Sequence, residues 1–198
     1  MAFNPFWGKA MIKLQQFKKD QRASTFMELA FTLPILVMMV MGGTELSFFM
    51  LKHQKMNRVA MSTADLIAQA RQVTQVDIDN IFSAIELVSG ETDFNQNGVV
   101  VITSVTRNGN NPAAIRWQSF SNTSYVAASK VGSGADSLAT LPPEIQLDAG
   151  DGVIVAEVFF LHRPVLYDPV MSEREIYHVA YYRPRFGALT EIVVPDPS

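Results

Sequence analysis

Two carboxylates, Glu28 and Glu45, are the only charged residues between Ala23 and Leu51, in the stretch "ASTFMELAFTLPILVMMVMGGTELSFFML". Sixteen uncharged residues separate them. A carboxylate inside an apolar run does one of two things. It lies at a membrane boundary as a tolerated interfacial charge, or it pairs with a cation brought by another helix. In helical geometry the two glutamates stand roughly 25 Å apart, close to the hydrocarbon thickness of about 30 Å. One then falls near each interface. For Glu45 the interfacial reading is the simpler, because the helix leaves the lipid there.

Other residues with chemical potential are few. "DFNQNG" at Asp93–Gly98 matches the first half of a calcium loop. The bidentate glutamate expected at position twelve is missing, since Ser104 stands there. A helix-to-strand turn explains the same residues, because Asp, Asn and Gly favour turns. His162 and His178 fall in two C-terminal strand-like runs and would approach one another if those runs pair. A metal centre needs a third ligand, and none has suitable spacing. His53, between Lys52 and Lys55, reads as a membrane-surface residue. There is no G-x-S-x-G, H-E-x-x-H or G-x-x-x-x-G-K motif, so the sequence makes no case for catalysis, a metal or a cofactor. The absence of cysteine excludes thiolate chemistry and disulfides.

The charge distribution narrows the class. Residues 1–58 hold eight Lys/Arg against three Asp/Glu, and residues 59–198 hold eight against sixteen. The acidic remainder argues against nucleic-acid binding, which needs a basic face. The basic end beside an apolar run fits a membrane anchor with its N-terminus inside. Lys9, Lys13, Lys18, Lys19 and Arg22 precede the run, while Lys52, Lys55 and Arg58 follow it. "KAMIKLQQFKK" has the pattern of a basic amphipathic helix for the inner leaflet. The apolar run exceeds the ~7–15 residues of a signal-peptide core.

These residues must be positioned by an α+β fold. The apolar run is expected to continue as an amphipathic helix, since Met56, Val59, Ala60, Thr63, Leu66, Ile67 and Ala70 keep helical spacing. One helix from near Ser24 to about Ala70 follows, bent at Pro34 and softened by Gly42-Gly43. "VDIDNIFSAIELVSG" predicts a second helix with Ile78, Ile81, Phe82 and Ile85 inward and Gly90 at its stop. "GVVVITSVTR" and "AAIRWQSF" predict a hairpin across "NGNNP". "GVIVAEVFFLHR" and "REIYHVAYYR" predict two more strands, joined by "YDPVMSE", where Pro169 breaks strand continuity. "VIVAEVFF" should be central, being apolar on both faces. Residues 121–148 read as a long surface loop. The architecture is therefore a long N-terminal transmembrane and amphipathic helix, a second helix, and an antiparallel sheet of about four strands with helices on one face. Its segments are a basic cytoplasmic leader (1–23), a transmembrane helix (24–51) and an extracytoplasmic domain (52–198).

"ASTFMELAFTLPILVMMVMGGTELSFFM" resembles the N-terminal segment of TadE-like proteins, pilin-like (pseudopilin) components of tight-adherence (Tad) pilus systems. The shared elements are a basic run, small residues, a glutamate before "LAFTLP", an unbroken apolar helix and a "GxxE" element ending at Glu45. The resemblance covers about residues 20–65; the strands "IVAEVFFLHRP" and "IYHVAYYRP" are less specifically similar to the family's ending. It implies a minor pilin-like subunit in the bacterial inner membrane, with a periplasmic C-terminal domain. Its implied partners are other pilin-like subunits, the major pilin and an inner-membrane pilus platform. It also implies a prepilin peptidase acting between Ala23 and Ser24, which would leave Glu28 five residues from the new N-terminus. The site departs from the family pattern in two places: Ala23 replaces the usual glycine, and Leu29 stands where an aromatic is common. Charge pairing of Glu28 with a neighbour's terminal amine would set the register between packed helices. Two alternatives remain: an anchored binding module without pilus function, and an exported enzyme behind an anchor.

Overall fold

The computed structural model describes residues 21–121, 123–164 and 172–193. The basic amphipathic segment expected within 9–19, and the part of the "YDPVMSE" connection that holds Pro169, lie outside these residues. The chain divides into two compact units, residues 1–46 and 47–198.

Helix α1 spans Gln21–Ala68 and contributes to both units. Its start and end agree closely with the spacing of apolar residues in the sequence. In the first unit, every residue from Ser24 to Val40 is exposed. Thr32 and Thr44 turn their hydroxyls back onto the carbonyls of Glu28 and Val40, each at 2.8 Å. Polar side chains thereby satisfy themselves within the helix, which water-free surroundings require. Pro34 lies inside α1 and leaves the carbonyl of Ala30 without its usual donor.

In the second unit, Met56, Val59, Ala60, Ala64 and Ile67 of α1 are fully buried or nearly so. Their spacing makes one stripe, and that stripe packs on a sheet. Short strand β1 (Val73–Thr74) leads into helix α2 (Gln75–Ser89). Thr74 and Asp77 cap α2 reciprocally. The Thr74 N–H donates to Asp77 Oδ2 at 3.0 Å, and the Asp77 N–H donates to Thr74 Oγ1 at 3.2 Å. The Thr74 hydroxyl, which donates to Asp77 Oδ2 at 2.7 Å, and the Thr74 N–H hold the Asp77 carboxyl below its ordinary range. Gly90 ends α2 at φ +62°, a left-handed conformation that suits glycine. A single helical turn, α3 (Phe94–Asn97), precedes the sheet.

Strands β2 (Gly98–Thr106), β3 (Ala114–Phe120), β4 (Gly152–His162) and β5 (Arg174–Tyr182) form an antiparallel sheet in the order β3-β2-β4-β5. As expected, β4 is interior, and so is β2. One sheet face carries Val100, Ile102, Ile154, Ala156, Val158 and Phe160 against α1 and α2. The opposite face carries Val99, Val101, Val105, Val153, Val155 and Phe159. Residues 121–148, expected as a surface loop, cover this second face with Tyr125, Val131, Leu141, Ile145 and Leu147. That cover explains why two neighbouring strands are apolar on both sides.

A register shift between Ser104 and Val105 sends Ile115 and Trp117 to opposite faces of β3. Trp117 can then donate its indole N–H to the Leu189 carbonyl at 3.0 Å, where Ser104 Oγ also donates. Two-residue strands leave no periodicity in a sequence. β6 (Ile192–Val193) pairs in parallel with β1 and ties the C-terminal segment to the helix connection.

Candidate functional site: the apolar helix and the cluster at its domain end

Residues 24–40 are almost all apolar, and all are exposed; Phe26 and Met39 each show 73% of their surface. Monomeric soluble proteins rarely expose contiguous apolar patches beyond a few hundred Å². This stretch therefore requires lipid or another helix around it. The helix is long and apolar enough to cross a membrane, with a mean hydropathy of 1.8 in its best window. Glu28 is exposed within it. Ala23 and Ser24 lie in the first turn of α1. Glu45 differs from Glu28. It is fully buried and already engaged within its own chain.

At the domain end of α1 lies a second set of groups, all within the second unit. Glu91, just past the end of α2, receives Lys55 Nζ at 2.7 Å and Lys52 Nζ at 3.4 Å. Lys52 also stands 5.0 Å over the Phe160 ring. His53 does not simply face a membrane surface, as the sequence suggested. Its Nδ1 lies 3.0 Å from Nε2 of His178. Phe49 packs edge-on against His53 at 4.5 Å and against His162 at 5.1 Å. Phe49 thus lies between His53 and His162, and His53 in turn meets His178. Burial holds His53 and His178 below the ordinary imidazole value, and the nearby His53 adds to the effect on His178. The β4–β5 pairing anticipated for His162 and His178 exists, yet His178 stands opposite Val158 and His162 opposite Arg174. Strand pairing alone does not make them partners.

The "DFNQNG" stretch forms α3 and the start of β2. Asn97 is buried and donates its side-chain amide to Asp93 Oδ2 at 3.0 Å. The residues therefore act as a turn that directs the chain into the sheet. Among the described residues, no group of three or more potential ligands is placed to hold a metal.

A buried carboxylate on the central strand had no counterpart in the sequence reading. Glu157 is fully buried on the loop-covered face of β4. It accepts the Ser129 hydroxyl, the Lys130 backbone N–H at 2.9 Å and the Tyr177 hydroxyl at 3.0 Å. Burial raises the Tyr177 phenol strongly, and the Glu157 charge and hydrogen bond raise it further. Lys130 Nζ rests 3.6 Å from the centroid of the Tyr177 ring, an arrangement favourable to the cation. A lone charge inside "VIVAEVFF" was the available signal, since a strand apolar on both faces tolerates a carboxylate only with dedicated donors.

A helix long and apolar enough to cross a membrane, with one carboxylate near its start, has the pattern of a single-span anchor. Residues 23–65 match the family model of TadE-like proteins. The match spans the apolar run, both glutamates and the first amphipathic turns of α1. It bears out the resemblance seen in the sequence and associates the chain with Tad pilus systems. Neither the curated proteins nor the solved structures contain a match to the chain.

Proposed function

We propose that this protein is a minor pilin-like subunit that primes, caps or stabilises a Tad-type pilus from the inner membrane. The observation that carries the reading is the unbroken exposed face of residues 24–40 with Glu28 open upon it, inside the segment that matches TadE-like proteins. The N-terminus is cytoplasmic, the apolar run that starts at residue 24 spans the bilayer, and the folded domain that follows it lies in the periplasm. The basic excess before the apolar run supports this orientation.

Glu28 supplies the specificity. A carboxylate at the lipid edge is costly while unpaired. A cation on a neighbouring pilin-like helix, such as the terminal amine left by peptidase cleavage before Ser24, relieves that cost and fixes the axial register. Glu45 has a different place in the reading: it is engaged within its own chain and serves the subunit rather than the contact between subunits. The major pilin and the platform of the assembly machine are the expected neighbours.

The test compares fibres and membranes from cells carrying the natural protein or Glu28→Ala, with the mass of the mature N-terminus measured in both. The reading expects a start at Ser24 in the natural protein. In the variant it expects a folded domain and lost or strongly reduced fibres. Normal fibres from Glu28→Ala would reduce the protein to a tethered binding module.

A further inference from the structure

His53 and His178 join the domain end of α1 to strand β5, and both belong to the second unit. The join is a single 3.0 Å contact between two ring nitrogens. The rings are nearly perpendicular, with centroids 5.1 Å apart. In a pair of neutral imidazoles one ring donates and the other accepts. One added proton leaves a donor and an acceptor still facing each other. A second proton makes both nitrogens donors, and two like charges then meet across the contact.

We infer that the His53–His178 pair is an acid-sensitive clasp, closed when at least one imidazole is neutral and opened when both are protonated. Residues 49–53 of α1 would then loosen from the sheet, while Met56 to Ile67 remain held by the buried core. The inference does not depend on the pilus reading, because every group in the contact belongs to the folded domain.

The surroundings determine how the clasp responds. On α1, Lys52 and Lys55 flank His53, and both lean on Glu91. Glu45 lies two turns earlier on the same helix. On β4, His162 is buried and packs on Phe49. On β5, Arg174 lies four residues before His178 and so on the same face. The lysines and Arg174 oppose added positive charge, whereas Glu91 favours it. Burial favours the neutral rings. An unfolded chain therefore binds protons below about pH 6.5 that the folded chain refuses. The contact contributes fully above that pH and loses its contribution as pH falls from there through the lowered values of the two folded rings.

The test uses the full chain in detergent micelles or bicelles. Imidazole nitrogen resonances are followed from pH 8 to pH 4, and amide protection factors are measured at pH 7.5 and pH 5. Two coupled titrations, both below the ordinary histidine value of about 6.5, are expected. Protection at residues 49–55 should fall about tenfold or more in acid, the factor corresponding to one pK unit, while residues 56–67 keep theirs. His53→Asn and His178→Asn retain hydrogen-bonding groups without the titration and should abolish the acid-dependent loss. In His53→Asn, His178 should titrate closer to its ordinary value. Independent titrations near 6.5, or equal protection at the two pH values in the natural chain, would overturn the clasp. So would an unchanged acid response in both asparagine variants.

Discussion

Replacing Glu157 by alanine is expected to destabilise the domain by about 2–4 kcal/mol. The figure follows from the donors that the carboxylate satisfies. The Lys130 N–H and the Tyr177 hydroxyl point at one oxygen of Glu157, at 2.9 and 3.0 Å, and Ser129 donates to the other. A buried donor left without its acceptor costs about 1–3 kcal/mol. Two such donors set a range of about 2–6 kcal/mol, and its lower part applies because both contacts are only partly buried, while Ser129 is half-exposed and can turn to water. Glu157→Gln keeps an acceptor oxygen for Lys130 and Tyr177 while losing the charge, so it should cost closer to 1 kcal/mol. The loss should also be local in its first effect, because Ser129 and Lys130 belong to the segment 121–148 that covers the sheet. Proteolysis of the natively folded protein, with denaturant-induced unfolding of the same samples, separates the two effects. Cleavage should appear within 121–148 in Glu157→Ala before the sheet is attacked. A cost below about 1 kcal/mol for alanine, or equal costs for alanine and glutamine, would refute the assignment of Glu157 as the acceptor that pins this segment.

Two further outcomes follow from the packing and from the tyrosines. A Cβ at Gly98 would lie 2.8 Å from Phe94 and 3.0 Å from Phe160, two rings stacked at 5.9 Å; Gly98→Ala should therefore cost about 1–3 kcal/mol by overpacking, read as a lowered denaturation midpoint. Burial and the neighbouring Glu175 push the Tyr125 phenol up to about 12, and burial also raises Tyr177 and Tyr181. Because these phenols stay protonated in the folded state where the unfolded chain ionises near pH 10, stability should be full below pH 10 and fall as pH rises beyond it. Thermal melts at pH 9 and pH 11 check this, and Tyr177→Phe should show a shallower decline.

The sequence carried most of the fold, because its signals were of the kind that local physics dictates. Apolar spacing through Met56, Val59, Ala60 and Ile67 placed the buried stripe of α1, and the four β-rich runs became the four strands of the sheet. Gly90 and the "NGNNP" turn fell where the chain needed to stop or reverse. The long segment 121–148 misled because its composition is that of an exposed loop, while its scattered Tyr125, Val131, Leu141 and Leu147 reach the sheet without any period. The β1–β6 pair was equally hidden, since two-residue strands have no periodicity to read. The place of Glu28, exposed on an apolar helix, was legible from charge pattern alone. The partners of His53 and Glu157 were not, because these contacts join residues 20 or more positions apart in the chain. The packing of α1 on the sheet brings His53 to His178, and the register of β4 and β5 with the path of the covering segment brings the donors to Glu157.

The central claim is that the exposed face of residues 24–40 assembles against other pilin-like helices through Glu28. Photo-crosslinking groups placed one at a time from Phe26 to Val40, and activated in cells building fibres, test it most directly. The account predicts adducts with pilin-like subunits that concentrate on one stripe of the helix beside position 28 and disappear when Glu28 is replaced by alanine. Adducts with lipid alone at every position during fibre growth would contradict it.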